Sequence, residues 1–274
     1  MMTQADLASL VVTVTSQEDT TLPLYAGRAV FGLLLRWVDA EDAGLAQALH
    51  DASGAKPYTC SDMIGMKRQG EVRILHKGKT AWFRMTGLQE SVARLLLQKE
   101  AIPPKTINID GKVLDVVSMT TDAQQHPWAG CTQYYELASP YLMAQADAPH
   151  YFNFSLASPT AFKQNNLTQP LPLPDLVFGS LADRWQSFST IGIHDDLRVY
   201  CKQGVVLNRF SLKSRLMRLK GDVMLGGSVG KAGYRVVRYD RYWQNMLAVL
   251  ADYAFYAGIG RYTSVGLGRA RRVN

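Results

Sequence analysis

Five histidines are spread over the 274 residues, and imidazole, with an unperturbed pKa of about 6.5, can give or take a proton near neutrality. Only His50 falls at the end of an expected helix, Asp42–His50, beside a polar loop that carries Lys56, Tyr58, Thr59 and Ser61. A helix C-terminus favours a cation, so His50 reads as a proton donor; the plain alternative is a surface histidine that caps its helix. His76, His126, His150 and His194 are scattered, with no His-x-x-x-His or His-Glu-x-x-His spacing. His194-Asp195-Asp196 has the form of a metal-phosphohydrolase dyad, but further ligand motifs are absent, so no metal or other cofactor is expected. Cys60 lies near enough to His50 to suggest a thiol nucleophile, although a small loop residue is the simpler reading.

A second stretch with chemical potential is Gly258-Ile259-Gly260-Arg261-Tyr262-Thr263-Ser264-Val265-Gly266-Leu267-Gly268, followed by Arg269, Arg271 and Arg272. Glycine tolerates positive φ and close backbone approach, which a loop needs if its amides are to reach a phosphate. It follows an expected helix and leads into a strand, the reverse of a dinucleotide fingerprint, and it lacks the Gly-Lys-Ser/Thr ending of a P-loop. ATP and NAD are therefore poor candidates, and a tight helix-to-strand connection is the bland alternative.

Charge is uneven along the chain. Residues 198–274 hold 15 Lys and Arg against 3 acids, a balance of +12, and residues 1–197 hold 15 against 20. A basic segment on a mildly acidic body is the footprint of a polyanionic partner. The basic residues fall in strand-like segments rather than on an amphipathic helix, which argues against an anionic membrane. No apolar run approaches the roughly 20 residues of a membrane span, the first residues lack a basic signal-like region, and Cys60, Cys131 and Cys201 are far apart. A cytoplasmic globular protein is expected.

These residues must be positioned by a fold, and the patterns predict one. A strand over Leu10–Thr15 precedes an apolar helix, Arg28–Trp37, and the short helix ending at His50. Glu71–His76 and Thr80–Met85 read as a hairpin around Lys77-Gly78-Lys79; a helix over Glu90–Leu97 and strands within Thr106–Met119, broken at Asp110-Gly111, complete β-α-β-β-α-β. The order then repeats: a strand at Tyr151–Ala157, a helix over Asp175–Phe188, strand-like segments at Leu197–Cys201 and Leu207–Leu219, and another at Val229–Tyr239, paired across Gly221–Gly230. A helix over Arg241–Tyr256, with Asp240 as N-cap, and a closing strand in Leu267–Val273 end the chain. The fold class predicted is α+β, two tandem ferredoxin-like (RRM-like) domains, 1–125 and 126–274.

The Gly258–Arg269 stretch resembles the Gly-rich loop of the RAMP proteins of CRISPR systems, above all that of their repeat-processing endoribonuclease, the Cas-six family. Phe154–Lys163 and Pro172–Trp185 are similar to the start of that family's second domain. Leu49-His50-Asp51, with Lys56–Ser61, is similar to the segment carrying its catalytic histidine. The resemblance implies the same two-domain fold. It also implies metal-independent cleavage of precursor CRISPR RNA within each repeat, by attack of a ribose 2′-hydroxyl, leaving a 2′,3′-cyclic phosphate and a 5′-hydroxyl. On that resemblance His50 is catalytic, and Lys56 matches the lysine that stabilises the transition state. Where some members carry a helical tyrosine as partner acid or base, this chain has Leu34-Leu35-Arg36-Trp37, and arginine is too basic for proton transfer. Either His50 with Lys56 suffices, or Tyr25 or Tyr58 substitutes.

For RNA contact the basic hairpin is favoured: Arg209, Lys213, Arg215, Arg218, Lys220, Lys231, Arg235 and Arg238. Gly258, Gly260, Arg261, Gly266 and Gly268 are expected to hold phosphates nearby, with Tyr234, Tyr239 and Tyr262 as candidates for stacking. Lys213, Arg215 and Arg235 are expected on one sheet face. The expected partners are CRISPR repeat RNA, precursor and processed, and other effector-complex subunits, with neither DNA as direct substrate nor membrane. The rival readings are a RAMP-fold protein that grips repeat RNA without cutting it, and a Gly-loop enzyme acting on a phosphorylated small molecule.

Overall fold

A computed structural model of the chain describes residues 5–51, 54–143, 147–220 and 223–274, without the side chains of 50, 51, 218–220 and 223. Two units emerge, Met1–Thr132 with Ser264–Gly266, and Gln133–Thr263 with Leu267–Asn274. Each carries a ferredoxin-like sheet.

In the first unit the chain runs β1 (Leu7–Thr15), β2 (Thr20–Pro23), α1 (Gly27–Glu41), α2 (Ala43–Asp51), β3 (Tyr58–Cys60), β4 (Lys67–Gln69), β5 (Val72–Leu75), β6 (Thr80–Gly87), α3 (Glu90–Ala101), β7 (Thr106–Ile109), β8 (Lys112–Thr120) and β9 (Gly130–Thr132). The main sheet has the order β3-β6-β1-β8-β7, with β9 against β1. Leu10, Val12 and Val14 of β1 and Phe83 and Met85 of β6 pack with Val30, Leu33, Leu34 and Trp37 of α1 and Val92 and Leu96 of α3. These spacings are 2 on the strands and 3.6 on the helices, which is why one face of each element closes the core.

The expected Glu71–His76/Thr80–Met85 hairpin is not a pair. Its turn forms, with Lys79 N donating to His76 O at 2.9 Å, but β5 pairs with β2 and β4 while β6 pairs with β1 and β3. Pairing β6 with β1 buries apolar residues on both strands, a gain that half-exposed β5 cannot offer. The second strand of the ferredoxin pattern is instead Tyr58–Cys60, inside a segment expected as loop. Because β9 pairs with β1, residues 126–132 lie in the first unit rather than after the expected boundary at 125. Asp110 and Gly111 take φ of 53° and 77°, the two positive values that a tight β7–β8 hairpin turn requires.

The second unit runs α4 (Tyr134–Leu142), β10 (Tyr151–Thr160), β11 (Phe162–Gln164), β12 (Leu167–Gln169), α5 (Pro174–Phe188), α6 (Leu197–Gly204), β13 (Val205–Lys220), β14 (Val223–Val236), α7 (Arg241–Ala257) and β15 (Ala270–Val273). Its sheet order is β13-β14-β10-β15. Leu197–Cys201, expected as strand, is helical, because Leu197, Tyr200, Cys201 and Gly204 form one buried helical face. The β13–β14 ladder runs out to Lys220↔Val223, so the connection is much shorter than Gly221–Gly230. Asp240 caps α7 by accepting from Trp243 N at 3.2 Å. None of the described helices is long and apolar enough to cross a membrane.

Candidate functional site

In the first unit, α2 ends at Asp51, so the backbone of His50 lies in its final turn; the His50 side chain lies outside the described residues. Lys56 folds back on that helix end, its Nζ donating to Leu49 O at 3.2 Å. A helix C-terminus presents unpaired carbonyls, so it holds the ammonium beside the backbone of His50. The other four imidazoles are engaged elsewhere. His76 Nδ1 meets Asp19 Oδ2 at 3.1 Å, and His126 Nδ1 accepts from Trp128 N at 3.1 Å. His150 Nδ1 lies 3.0 Å from Gln244 Nε2, and His194 Nδ1 accepts from Asp196 N at 3.2 Å. His194-Asp195-Asp196 is thus a local turn before α6. No group of three or more His, Cys, Asp or Glu arranged to hold a metal occurs among the described residues.

Tyr58 is 1% exposed and stacks on Phe31 with centroids 5.4 Å apart. Burial pushes its hydroxyl above the ordinary tyrosine range. Tyr25, just before α1, is half-buried, with the Arg73 guanidinium 5.9 Å from its ring centre. Cys60 is a core residue of β3 rather than a loop residue, its thiol pushed up by burial.

The Gly-rich loop is tied into the protein by its own backbone. Its amides are spent on the protein: Ile259 N donates to Gly268 O (2.7 Å), Gly260 N to Ser180 Oγ (3.2 Å), Arg261 N to Ala161 O (2.8 Å) and Gly268 N to Pro159 O (3.0 Å). A Cβ on Gly268 would stand 2.2 Å from Ile259 O, and one on Gly260 would stand 2.4 Å from Ala161 O, both at positive φ. Glycine at 258, 260 and 268 therefore lets the loop close on itself and on β10–β11; these amides are not turned out to bind phosphates. Gly266 sits in the first unit, bridged to Ser61. Arg261, half-buried at the crest, stacks on Tyr262 at 4.8 Å.

The basic hairpin is laid out by register. Arg209↔Gly233, Ser211↔Lys231, Lys213↔Val229, Arg215↔Gly227 and Val206↔Arg235 are cross-strand pairs. With the period of two and the irregularity between Leu207 and Arg209, Arg209, Lys213, Arg215, Lys231 and Arg235 share one exposed face. Neither strand contains an acid. Among the described acids of the second unit, Asp183 pairs with Arg198, Asp175 with Lys202 and Asp252 with Arg272. Of the basic run after the Gly-rich loop, Arg272 is thereby turned inward. Arg238 departs from the cluster: beyond the end of β14, its Nη1 donates to Gln203 Oε1 at 3.1 Å. The side chains of Arg218 and Lys220 lie outside the described residues. Tyr234 is core, donating to Pro172 O at 2.7 Å.

Two family models match this chain: the CRISPR Cas6 N-terminal domain over residues 7–139 and the CRISPR-associated endoribonuclease Cas6 over residues 154–270. The chain belongs to the Cas6 family. Among solved structures it is similar to a Cas6 substrate mimic complex (26% identity, 97% of this chain and 99% of that one, TM-score 0.71). It is also similar to a Cas6 product complex (24%, 97% and 100%, 0.79) and to Thermus thermophilus Cas6 (24%, 98% and 99%, 0.73). No curated protein sequence matches it.

As a Cas6 family member the chain has features that sequence reading missed. Arg184 of α5 donates through Nη2 to Gly260 O and through Nη1 to Gly258 O at 3.4 Å, holding the loop from below with Ser180. Desolvation lowers the pKa of that guanidinium. The signal available was the Ser180–Arg184 spacing of four, one helical turn. Tyr151, Asn153 and Asn208 also line the exposed basic face, and no motif pointed to them.

Proposed function

We propose that this chain binds CRISPR repeat RNA and cleaves the precursor within its repeats without a metal. The ribose 2′-hydroxyl attacks the adjacent phosphate, leaving a 2′,3′-cyclic phosphate and a 5′-hydroxyl. His50 transfers a proton, and the Lys56 ammonium stabilises the developing charge on the phosphorane. The observation that carries this reading is Lys56 folded onto the α2 end that bears His50, in a chain matched by Cas6 models over both halves. The other four imidazoles already have protein partners. The exposed face of Arg209, Lys213, Arg215, Lys231 and Arg235 supplies the phosphate contacts, which give affinity and register without reading sequence. Arg261 adds a cation at the loop crest. The RNA is met in the cytoplasm, before and after processing.

The test is single-turnover cleavage of the host's repeat RNA in EDTA. His50→Ala is expected to lower the rate by about 10²–10⁴-fold with RNA binding retained. A 2′-deoxy substitution at the mapped cut site is expected to abolish cleavage. Full activity of His50→Ala moves the proton transfer elsewhere, to Tyr25 first. Tight binding by the wild type with no cutting rejects the catalytic reading and leaves an RNA-binding protein.

A further inference from the structure

The open face of the second sheet has an indentation that charge alone does not explain. It is a pocket of about 320 Å³ lined by Tyr151, Asn153, Asn208, Arg209, Gly233 and the backbone side of Tyr234. Its floor is the pair of central strands, β10 and β14. Gly233 provides the depth: it stands between Asn153 and Arg209 in the cross-strand row, and a Cβ there would lie 2.6 Å from Asn153 Oδ1. The strand irregularity between Leu207 and Arg209 lets two successive residues, Asn208 and Arg209, reach the same pocket, as a bulge re-aims side chains.

The wall is aromatic. Tyr151 is 54% exposed and pairs across the strands with Arg235, whose guanidinium lies 6.0 Å from the ring centre. The neighbouring hydroxyls of Tyr239 and Tyr151 favour the charged form of that guanidinium. The amides of Asn153 and Asn208 and the guanidinium of Arg209 have no hydrogen-bond partner among the described residues. Donors, acceptors and a π-face thus converge on a shallow site within a phosphate-binding surface.

We propose that this pocket takes one unpaired nucleobase of the bound RNA, stacked on Tyr151 and hydrogen-bonded at its edge by Asn153 and Asn208. Stacking of splayed-out bases on sheet aromatics, with edge contacts from amides, is the general mode by which proteins read single-stranded RNA. The proposal rests on the reading of this chain as a repeat-RNA binder. It adds a single-stranded, base-contacting point to a surface otherwise suited to phosphates.

The full chain is tested by equilibrium binding of its repeat RNA at several salt concentrations, with Tyr151→Ala, Tyr151→Phe, Asn153→Ala and Lys213→Ala. Tyr151→Ala is expected to weaken binding between about fivefold and a hundredfold with an unchanged salt slope, and Tyr151→Phe to bind like the wild type. Lys213→Ala is expected to lower the slope by about one. A 4-thiouridine repeat RNA is expected to crosslink to the peptide containing Tyr151. Wild-type affinity of Tyr151→Ala, alongside weakened Lys213→Ala, overturns the pocket and leaves the RNA reading standing. A wild type that does not bind repeat RNA overturns both.

Discussion

The two sheets of this chain share a four-strand core order, β3-β6-β1-β8 and β13-β14-β10-β15, and differ in their surfaces. In the first, both faces are buried around β1, β3 and β6. The helix side holds Leu10, Val12, Phe83 and Met85, and the other side buries Ser9, Thr59, Arg84 and Thr86. Those polar groups are paired: Ser9 Oγ donates to Trp128 O at 2.6 Å, and the hydroxyls of Thr59 and Thr86 are 2.6 Å apart. The Arg84 guanidinium lies 5.1 Å from the Trp128 ring centre. In the second sheet, Phe152, Phe154 and Tyr234 face α5, while the other face exposes five cations and Tyr151. The topological counterpart of three-residue β3 is 16-residue β13. One topology therefore carries a largely covered sheet in the first unit and an open, basic one in the second.

The largest effect expected is at the α2 end in the first unit. Lys56→Ala should lower repeat cleavage by about 10²-fold, as loss of one transition-state donor typically does, with little change in RNA affinity; an affinity loss of the same size would make Lys56 part of the binding surface instead. Next comes a paired stability measurement. Thr86→Val removes the partner of Thr59 inside the closed sheet and should cost about 1–3 kcal/mol in urea unfolding, whereas Ser211→Val on the open face should stay within about 0.5 kcal/mol. Equal costs would erase the contrast between the faces.

Smaller still is the electrostatic increment of the open face. Replacing both Lys213 and Arg215 by alanine should reduce the slope of log affinity against log salt by about 1.8 if the contacted phosphates are in a duplex and about 1.4 if they are single-stranded. The least perturbing probe is thiol labelling at about pH 8. Cys131 is exposed and should react in the native protein, while buried Cys60 and Cys201 should react only on unfolding. Burial pushes the Cys201 thiol up to about 12. A raised folded pKa favours the native state while the thiol is protonated, so this contribution is lost as pH rises above the ordinary thiol range towards about 12.

Much was legible because it is local. Helical spacing marked α1, α5 and α7; Asp110-Gly111 marked its turn, and Asp240 its cap. The uneven charge located the basic hairpin, and the alternation in β13 and β14 put Lys213, Arg215 and Arg235 on one face, as the register has them. Partner choice was less legible. The Glu71–His76 segment alternates well enough for a strand, yet alternation assigns faces rather than neighbours, and β1 wins the pairing with β6.

By itself, then, the amino-acid sequence determined the main helices, most of the central strands and where positive charge accumulates, since periodicity, turn chemistry and charge are properties of neighbouring residues. Only the tertiary structure decided that Ser9, Thr59 and Thr86 are interior, that the glycines of the Gly258–Gly268 loop serve its own closure, and that Tyr151, Asn153 and Asn208 meet at one pocket. Each of these depends on contacts between residues distant in the chain. Whether a polar side chain faces water or a partner, and whether an amide is free or already bonded, is settled by which strands come to lie side by side.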